Sequence, residues 1–121
     1  MDQLVPNHPA KGLRMTAQLL AALIFVESGG NDMARGAHGE LGALQIRRTV
    51  VADVNRIHGT RYRHSQMTNR ETAVRVCVLY VEHYAPGQPA EIQARVWNGG
   101  PRGAGRISTV GYWQRVRREM K

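Results

Sequence analysis

The chain has 121 residues, of which 42% are hydrophobic, 21% charged and 6% aromatic. This length suits a single domain, and folding at this size buries roughly two-thirds of the surface that the unfolded chain exposes. The single cysteine, Cys77, excludes an intramolecular disulfide, and no Cys/His spacing suits a zinc site. We therefore expect one monomeric domain over residues 1–121, without a metal or other cofactor.

The charge balance is strongly basic. Lys+Arg number 17 against 9 Asp+Glu, which gives a formal net charge of +8, and 15 of the 17 cations are arginines. Such a surface attracts anionic partners such as nucleic acid, lipid head groups or acidic cell-wall polymers. Net charge alone does not choose among them.

Residues 1–11 lack the basic segment and apolar run of a signal peptide. No apolar stretch reaches the roughly 18 residues that a membrane span needs. We expect a chain synthesised without an export signal or membrane anchor.

The first predicted helix covers about residues 13–28. Its apolar face begins at Leu13 and repeats every three or four residues, and the glycines that start at Gly29 end it. Five of the fourteen residues from Gly29 to Gly42 are glycine. That density predicts an irregular loop or a short hairpin.

Two further helices follow this loop. Thr49 is a candidate cap for a second helix that runs to about Ile57 and closes at His58-Gly59. Thr68 and Glu71 form a capping-box pattern for a third helix, which ends at Pro86-Gly87.

Two shorter helices complete the chain. Pro89 is predicted at the first position of a fourth helix that stops at Asn98-Gly99-Gly100-Pro101, and Ser108 is predicted to start a last helix that reaches Met120. The predicted fold is mainly α-helical, with two glycine-rich loops.

Glu27 is unusual because it lies on the apolar face of the first helix, near its end. Burial disfavours the charged form of a carboxyl group, so a buried Glu27 has a raised pKa and can act as a general acid. The alternative is a helix-edge glutamate whose carboxylate turns to solvent.

Three short motifs occur in order along the chain. They are Glu27-Ser28, Gly42-Ala43-Leu44-Gln45 and Trp97-Asn98-Gly99-Gly100. Together they resemble the soluble lytic transglycosylase and goose-type lysozyme-like family over about residues 13–101. The resemblance implies a small lysozyme-like domain that cleaves peptidoglycan between N-acetylmuramic acid and N-acetylglucosamine.

The resemblance also implies roles for single residues. Glu27 matches the catalytic acid and base, Ser28 a residue that supports it by hydrogen bonding, and Gln45 a glutamine of the sugar-binding cleft. The alternatives are that Ser28 only bonds the backbone at the helix end and that Gln45 faces solvent.

The third motif supplies the other expected substrate contacts. Trp97 stands where the family usually has tyrosine, so its ring either stacks on a sugar or packs in the core. Asn98 keeps the family's amide, and Gly99 leaves room for close approach. Tyr112 and Tyr80 are alternative sources of a hydroxyl group, and the sequence selects neither.

The product chemistry depends on a second carboxylate. Attack by the muramic acid's own C6 hydroxyl gives a 1,6-anhydro product, and this lytic transglycosylase reaction is the first expectation. A hydrolytic muramidase needs a partner carboxylate within roughly 5 to 9.5 Å of the acid. Asp32 and Glu40, both in the glycine-rich loop, are the candidates.

The rival hypothesis is a basic helical protein that binds nucleic acid through scattered arginines. Its candidate contacts are Arg47, Arg48, Arg56, Arg61, Arg63, Arg115, Arg117 and Arg118. It leaves Glu27 and the Trp97-Asn98-Gly99 segment unexplained. A non-catalytic binding domain that retains the lysozyme-like fold is a further alternative, and Glu27 argues against it. We therefore expect peptidoglycan glycan strands as the partner, with electrostatic contact to anionic envelope polymers or lipids and no nucleic acid.

The expected place of action is the bacterial cell wall. A wall-digesting enzyme without an export signal must be released by another route, such as cell lysis or transport in a phage particle. Trimming of a leader or of a larger protein is the alternative explanation.

Overall fold

The computed structural model describes residues 14–120. Leu13, predicted to start the first helix, and residues 1–11, examined for a signal peptide, lie outside this range. Five α-helices and three short 3-10 helices account for the regular structure of the described residues. The α-helices are α1 (Ala17–Ser28), α2 (Arg48–His58), α3 (Arg70–Tyr84), α4 (Ala90–Gly99) and α5 (Val110–Glu119), and the 3-10 helices are His64–Thr68, Gly103–Gly105 and Ile107–Thr109. The prediction of a mainly α-helical domain is confirmed.

α1 begins later than the sequence predicts, and it ends at the predicted position. Thr16 is its N-cap, and the Thr16 hydroxyl accepts a hydrogen bond from the Leu19 N–H at 3.1 Å. Gly29 is the C-cap with φ of 64°, a left-handed conformation that glycine adopts without steric cost. The predicted start near residue 13 is wrong, because the Thr16 cap sets the boundary.

The other helix starts also differ from the sequence predictions, by one or two residues. The helix predicted from Thr49 begins at Arg48, with Arg47 as its N-cap. Asn69, and not Thr68, caps α3, and its side chain accepts a hydrogen bond from the Thr72 N–H at 3.0 Å. Asn69 is the N-cap because Thr68 is still part of the preceding 3-10 helix.

The last two helices show the same kind of shift. Pro89 is the N-cap of α4 and not its first helical residue, whereas the end of α4 at Gly99 lies within the predicted stop. α5 starts at Val110 and not at Ser108, because a 3-10 turn occupies Ile107–Thr109.

The glycine-rich loop between α1 and α2 folds back on itself in a short hairpin-like turn. Leu41 and Ile46 exchange two backbone hydrogen bonds, and Leu41 also bridges to Arg35. Within residues 14–120 these isolated bridges do not extend into a strand. Leu41 and Ile46 are both buried, so the turn is anchored to the core.

α3 is the central helix of the core. Seven of its residues, spread around more than one face, are buried: Ala73, Val74, Val76, Cys77, Val78, Tyr80 and Val81. A helix that is buried on several sides must be surrounded by other elements. α1, α2, α4 and α5 supply these elements through buried residues such as Leu23, Val54, Val96 and Val116.

A buried threonine fixes the junction between α4 and α5. Thr109 is 1% exposed. Its hydroxyl oxygen lies 2.7 Å from the Gly103 carbonyl oxygen and 2.8 Å from the Arg106 carbonyl oxygen. The same hydroxyl accepts a hydrogen bond from Arg95 Nε at 2.8 Å. Gly103 is required here, since a Cβ on it would lie 2.0 Å from the Arg95 carbonyl oxygen. The junction sets the direction in which α5 crosses α1.

Among the described residues, no helix is both long and apolar enough to span a membrane.

Gly42 and Gly39 provide a matched test of this packing. Both have φ near +85°, but a Cβ on Gly42 would lie 1.9 Å from the Met67 carbonyl oxygen, whereas a Cβ on Gly39 would meet nothing within 4 Å. We expect Gly39→Ala to lower the free energy of unfolding by about 1–2 kcal/mol, the cost of a left-handed alanine. Gly42→Ala should cost about 1–3 kcal/mol more because it also overpacks the core.

Urea unfolding of both variants measures the two free energies. Equal losses would contradict the close contact between the loop and Met67.

Candidate active site

Glu27 is the second-last residue of α1 and lines a cavity of about 380 Å³. The Glu27 side chain is half-buried, so its carboxyl group does not turn fully to solvent. The cavity is formed by the end of α1, the glycine-rich loop, the start of α2 and the end of α4. Its lining includes Glu40, Gln45, Tyr80, Trp97, Asn98 and Gly99.

Burial raises the pKa of Glu27 from 4.5 to about 7, against the opposing effects of a hydrogen bond from Tyr112 and the charge of Arg115. The charge of Glu40 adds a smaller upward contribution. The Tyr112 hydroxyl donates to Glu27 Oε2 at 2.8 Å. Glu27 therefore exchanges a proton near neutral pH, as the sequence predicts for a buried carboxyl group.

Tyr112 belongs to α5 and is 4% exposed. Burial raises the pKa of its hydroxyl well above the usual value, so the hydroxyl stays protonated and remains a donor to Glu27. The guanidinium of Arg115 lies 5.8 Å from the centre of the Tyr112 ring. The sequence alone does not distinguish Tyr112 from Tyr80 as the partner of Glu27, because the contact joins residues 85 positions apart.

Ser28 bonds the backbone on both sides of the helix end. Its hydroxyl donates to the Ala43 carbonyl at 2.8 Å and accepts from the N–H groups of Gly30 and Asn31, both at 3.1 Å. The side chain that hydrogen bonds to Glu27 is that of Tyr112. Ser28 thus acts on the acid indirectly, by fastening the glycine-rich loop to the end of α1.

Gln45 lines the cavity in a strained backbone conformation. It is a non-glycine residue with φ of 51°, and its side-chain amide donates to the carbonyls of Ala34 at 3.2 Å and Gly42 at 3.0 Å. Such strain persists only where surrounding contacts hold it, and it is frequent at functional sites. The half-buried amide is therefore part of the loop's framework, and its predicted contact with sugar stays a prediction.

Glu40 lines the same cavity as Glu27, and its carboxylate is held in place. It accepts from the His38 N–H at 2.9 Å and from Arg47 Nη2 at 3.1 Å. The hydrogen bond from the His38 backbone is the main cause of a lowered Glu40 pKa. The cavity therefore holds one carboxyl group with a raised pKa and one that stays ionised.

Glycine at position 36 leaves room for this arrangement. A Cβ on Gly36 would lie 2.2 Å from Glu40 Oε1 and 2.8 Å from Gln45 Oε1. The two side-chain oxygens therefore converge over the Gly36 backbone.

Asp32, the other candidate carboxylate, does not line the cavity. Its Oδ1 accepts from Arg70 Nε at 2.6 Å, and Arg70 also donates to the Gly30 carbonyl at 2.7 Å. Asp32 therefore ties the loop to the start of α3. Of the two acids that the sequence could not separate, the structure brings only Glu40 to Glu27.

The Trp-Asn-Gly segment at the end of α4 forms another wall of the cavity. The Trp97 ring packs edge-on against Tyr80 with ring centres 5.7 Å apart, and Asn98 is exposed at the opening. Gly99 is needed for packing, because a Cβ there would lie 2.6 Å from Thr109 Cγ2. Sugar contacts by this segment remain predictions.

Residues 14–120 contain no group of three or more His, Cys, Asp or Glu side chains arranged to hold a metal ion. The polar groups in the cavity lining are carboxyl, amide, hydroxyl and guanidinium groups.

Solved structures with a similar fold include two lysozymes and a complex of the protein PliI with a lysozyme. A chain in the crystal structure of Aeromonas hydrophila PliI in complex with Meretrix lusoria lysozyme is 27% identical, with a TM-score of 0.75 over 91% of this chain and 93% of that chain. For inhibitor-bound lysozyme from Meretrix lusoria the identity is 28% and the TM-score 0.73, over 91% and 93% of the two chains.

Tapes japonica lysozyme, at 24% identity and a TM-score of 0.71 over 89% and 92% of the two chains, shows the fold alone. No family model matches the sequence, and no curated protein matches it significantly. The chain has a lysozyme-like fold. None of these matches identifies it as a member of the lytic transglycosylase family.

The raised pKa of Glu27 has a consequence for stability. The folded state holds this proton more tightly than the unfolded state does. The free energy of unfolding therefore falls as the pH rises from 4.5 to about 7. Glu27→Gln removes the titration and keeps an acceptor for Tyr112. We expect the variant and the wild type to be equally stable below pH 4.5, and the variant to be more stable by about 3 kcal/mol above pH 7.

Chemical denaturation across this pH range measures the difference. A difference that does not change with pH would show that Glu27 titrates normally.

Proposed function

We propose that the protein is a peptidoglycan-cleaving enzyme that breaks the β-1,4 bond between N-acetylmuramic acid and N-acetylglucosamine. The observation that carries the proposal is the pair of carboxyl groups in one cavity. Glu27 has a pKa of about 7, and Glu40 has a lowered pKa. Two acids whose environments separate their pKa values can take the roles of proton donor and ionised partner.

In the proposed reaction Glu27 protonates the glycosidic oxygen while the sugar ring gains oxocarbenium character. At neutral pH a substantial fraction of Glu27 carries the required proton. Tyr112 fixes Oε2 of Glu27 from the buried side, which orients the carboxyl group. After the bond breaks, the Glu27 carboxylate accepts a proton from the attacking hydroxyl group.

Glu40 favours a hydrolytic muramidase as the form of this activity. Its carboxylate is ionised, lines the cavity and can stabilise positive charge on the sugar. Water is then the attacking group, and the product has a reducing end. The lysozymes among the similar structures support this chemistry.

A lytic transglycosylase is the second candidate. Both Glu40 oxygens already accept hydrogen bonds, one from His38 and one from Arg47, which weakens Glu40 as a base or nucleophile. The substrate's acetamido group would then stabilise the cation, and its C6 hydroxyl would attack, giving 1,6-anhydro products. Under either chemistry we propose that the protein acts on the bacterial wall.

Three glutamate variants test the proposal on purified peptidoglycan. Glu27→Gln should reduce cleavage by about 10³-fold, because the amide cannot deliver a proton. Glu40→Gln should reduce it by about 10²-fold if Glu40 stabilises the cation. Glu71→Gln is the matched control, since Glu71 is exposed at the start of α3 and lies outside the cavity.

Mass spectrometry of the released fragments identifies the product. Reducing-end fragments support the muramidase, and fragments lighter by one water, with Glu40→Gln still active, support the transglycosylase. Wild-type cleavage by Glu27→Gln would refute both.

A further inference from the structure

A second, larger cavity of about 770 Å³ adjoins the candidate active site. Glu40 lines both cavities, so they meet at the glycine-rich loop. Part of the lining comes from the 3-10 helix His64–Thr68, which has no clear signal in the sequence. The reaction proposed above makes no use of this cavity.

Three arginines from separate segments line it. Arg35 comes from the glycine-rich loop, Arg48 is the first residue of α2, and Arg63 precedes the 3-10 helix. All three are exposed, and none forms an ion pair with a residue that the structure describes. Three like charges around one space repel one another, and a bound anion would relieve that repulsion.

The surrounding groups leave the cavity positive. Glu40 is the one acidic residue in its lining, and Arg47 from outside the lining already pairs with it at 3.1 Å. The first turn of α2, which starts at Arg48, contains no acidic residue. The helix dipole therefore adds to the positive potential.

The other polar neighbours are hydrogen-bonding groups. The His64 ring is held by its Nε2, which lies 2.7 Å from the Ile46 carbonyl, and Ser65 and Thr68 add hydroxyl groups. Arginine guanidiniums bind carboxylates with two parallel hydrogen bonds, which matches planar anions. The guanidinium and hydroxyl groups of the lining suit a bound carboxylate.

We propose that this cavity binds the carboxylate groups of the peptide stem of peptidoglycan. The inference rests on the proposed function, because a glycan strand placed at Glu27 carries its peptide stem on the muramic acid at the cleaved bond. The shared wall at Glu40 lets one substrate occupy both cavities. The arginines then select strands whose stems carry free carboxylates.

The test measures binding in a Glu27→Gln background, so that it does not depend on cleavage. The probe is insoluble peptidoglycan stripped of phosphate polymers, used either native or with its carboxyl groups converted to amides. The cavity variant adds R35Q, R48Q and R63Q. The control variant adds R75Q, R117Q and R118Q, which removes the same charge from exposed arginines outside the cavity.

On native peptidoglycan we expect the cavity variant to bind about tenfold more weakly than its parent and the control variant to bind within about twofold of it. Amidation should weaken the parent and the control variant about tenfold and leave the cavity variant unchanged.

Equal losses in the cavity and control variants, or a cavity variant that still responds to amidation, would overturn the inference. So would an absence of binding to both preparations, or binding by the wild type that requires the phosphate polymers. Failure of the proposed function is distinguishable: the binding pattern would hold while the wild-type enzyme releases no fragments.

Discussion

The hydrogen bond between Tyr112 and Glu27 is the contact on which the candidate site depends. It joins the end of α1 to α5 and lies beside the buried face of α3. Burial alone would raise the pKa of Glu27 further, and the Tyr112 hydroxyl moderates the rise, so that the carboxyl group titrates near neutral pH. One contact thus orients the carboxyl group and moderates the rise in pKa that burial causes.

The surrounding structure keeps that contact in place. Thr109 directs α5 towards α1 through its bonds to Gly103, Arg106 and Arg95. On the other side, Ser28 fastens the glycine-rich loop to the end of α1, which brings Glu40 to the cavity. Glu40 in this loop also lines the arginine-lined cavity, so the two cavities share one wall.

Features governed by local chemistry were predictable from the sequence. The Gly29 terminator of α1 and the unusual place of Glu27 follow from neighbouring residues, and so does the helical fold class, whereas Ala17 of the predicted apolar face is exposed. Helix starts were less predictable, because Asn69 and Thr68 are both good caps and the choice depends on the 3-10 helix before them. That 3-10 helix has no strong periodic signal.

Contacts between distant residues could not be read from the sequence. Nothing local distinguishes Tyr112 from Tyr80 as the partner of Glu27, or Glu40 from Asp32 as the second carboxylate. Asp32 is drawn away by Arg70, which lies 38 positions later in the chain. Gly99 looked suited to substrate approach, yet its packing against Thr109 alone requires a glycine.

The central claim is that Glu27 is a buried acid that titrates near pH 7. Its most direct test is a carbon-13 NMR titration of the Glu27 side-chain carboxyl group in the wild type and in Tyr112→Phe. The account predicts a midpoint at about 7 in the wild type and a higher one in the variant, because the hydrogen bond that lowers the pKa is lost. A wild-type midpoint near 4.5, unchanged by the substitution, would contradict it.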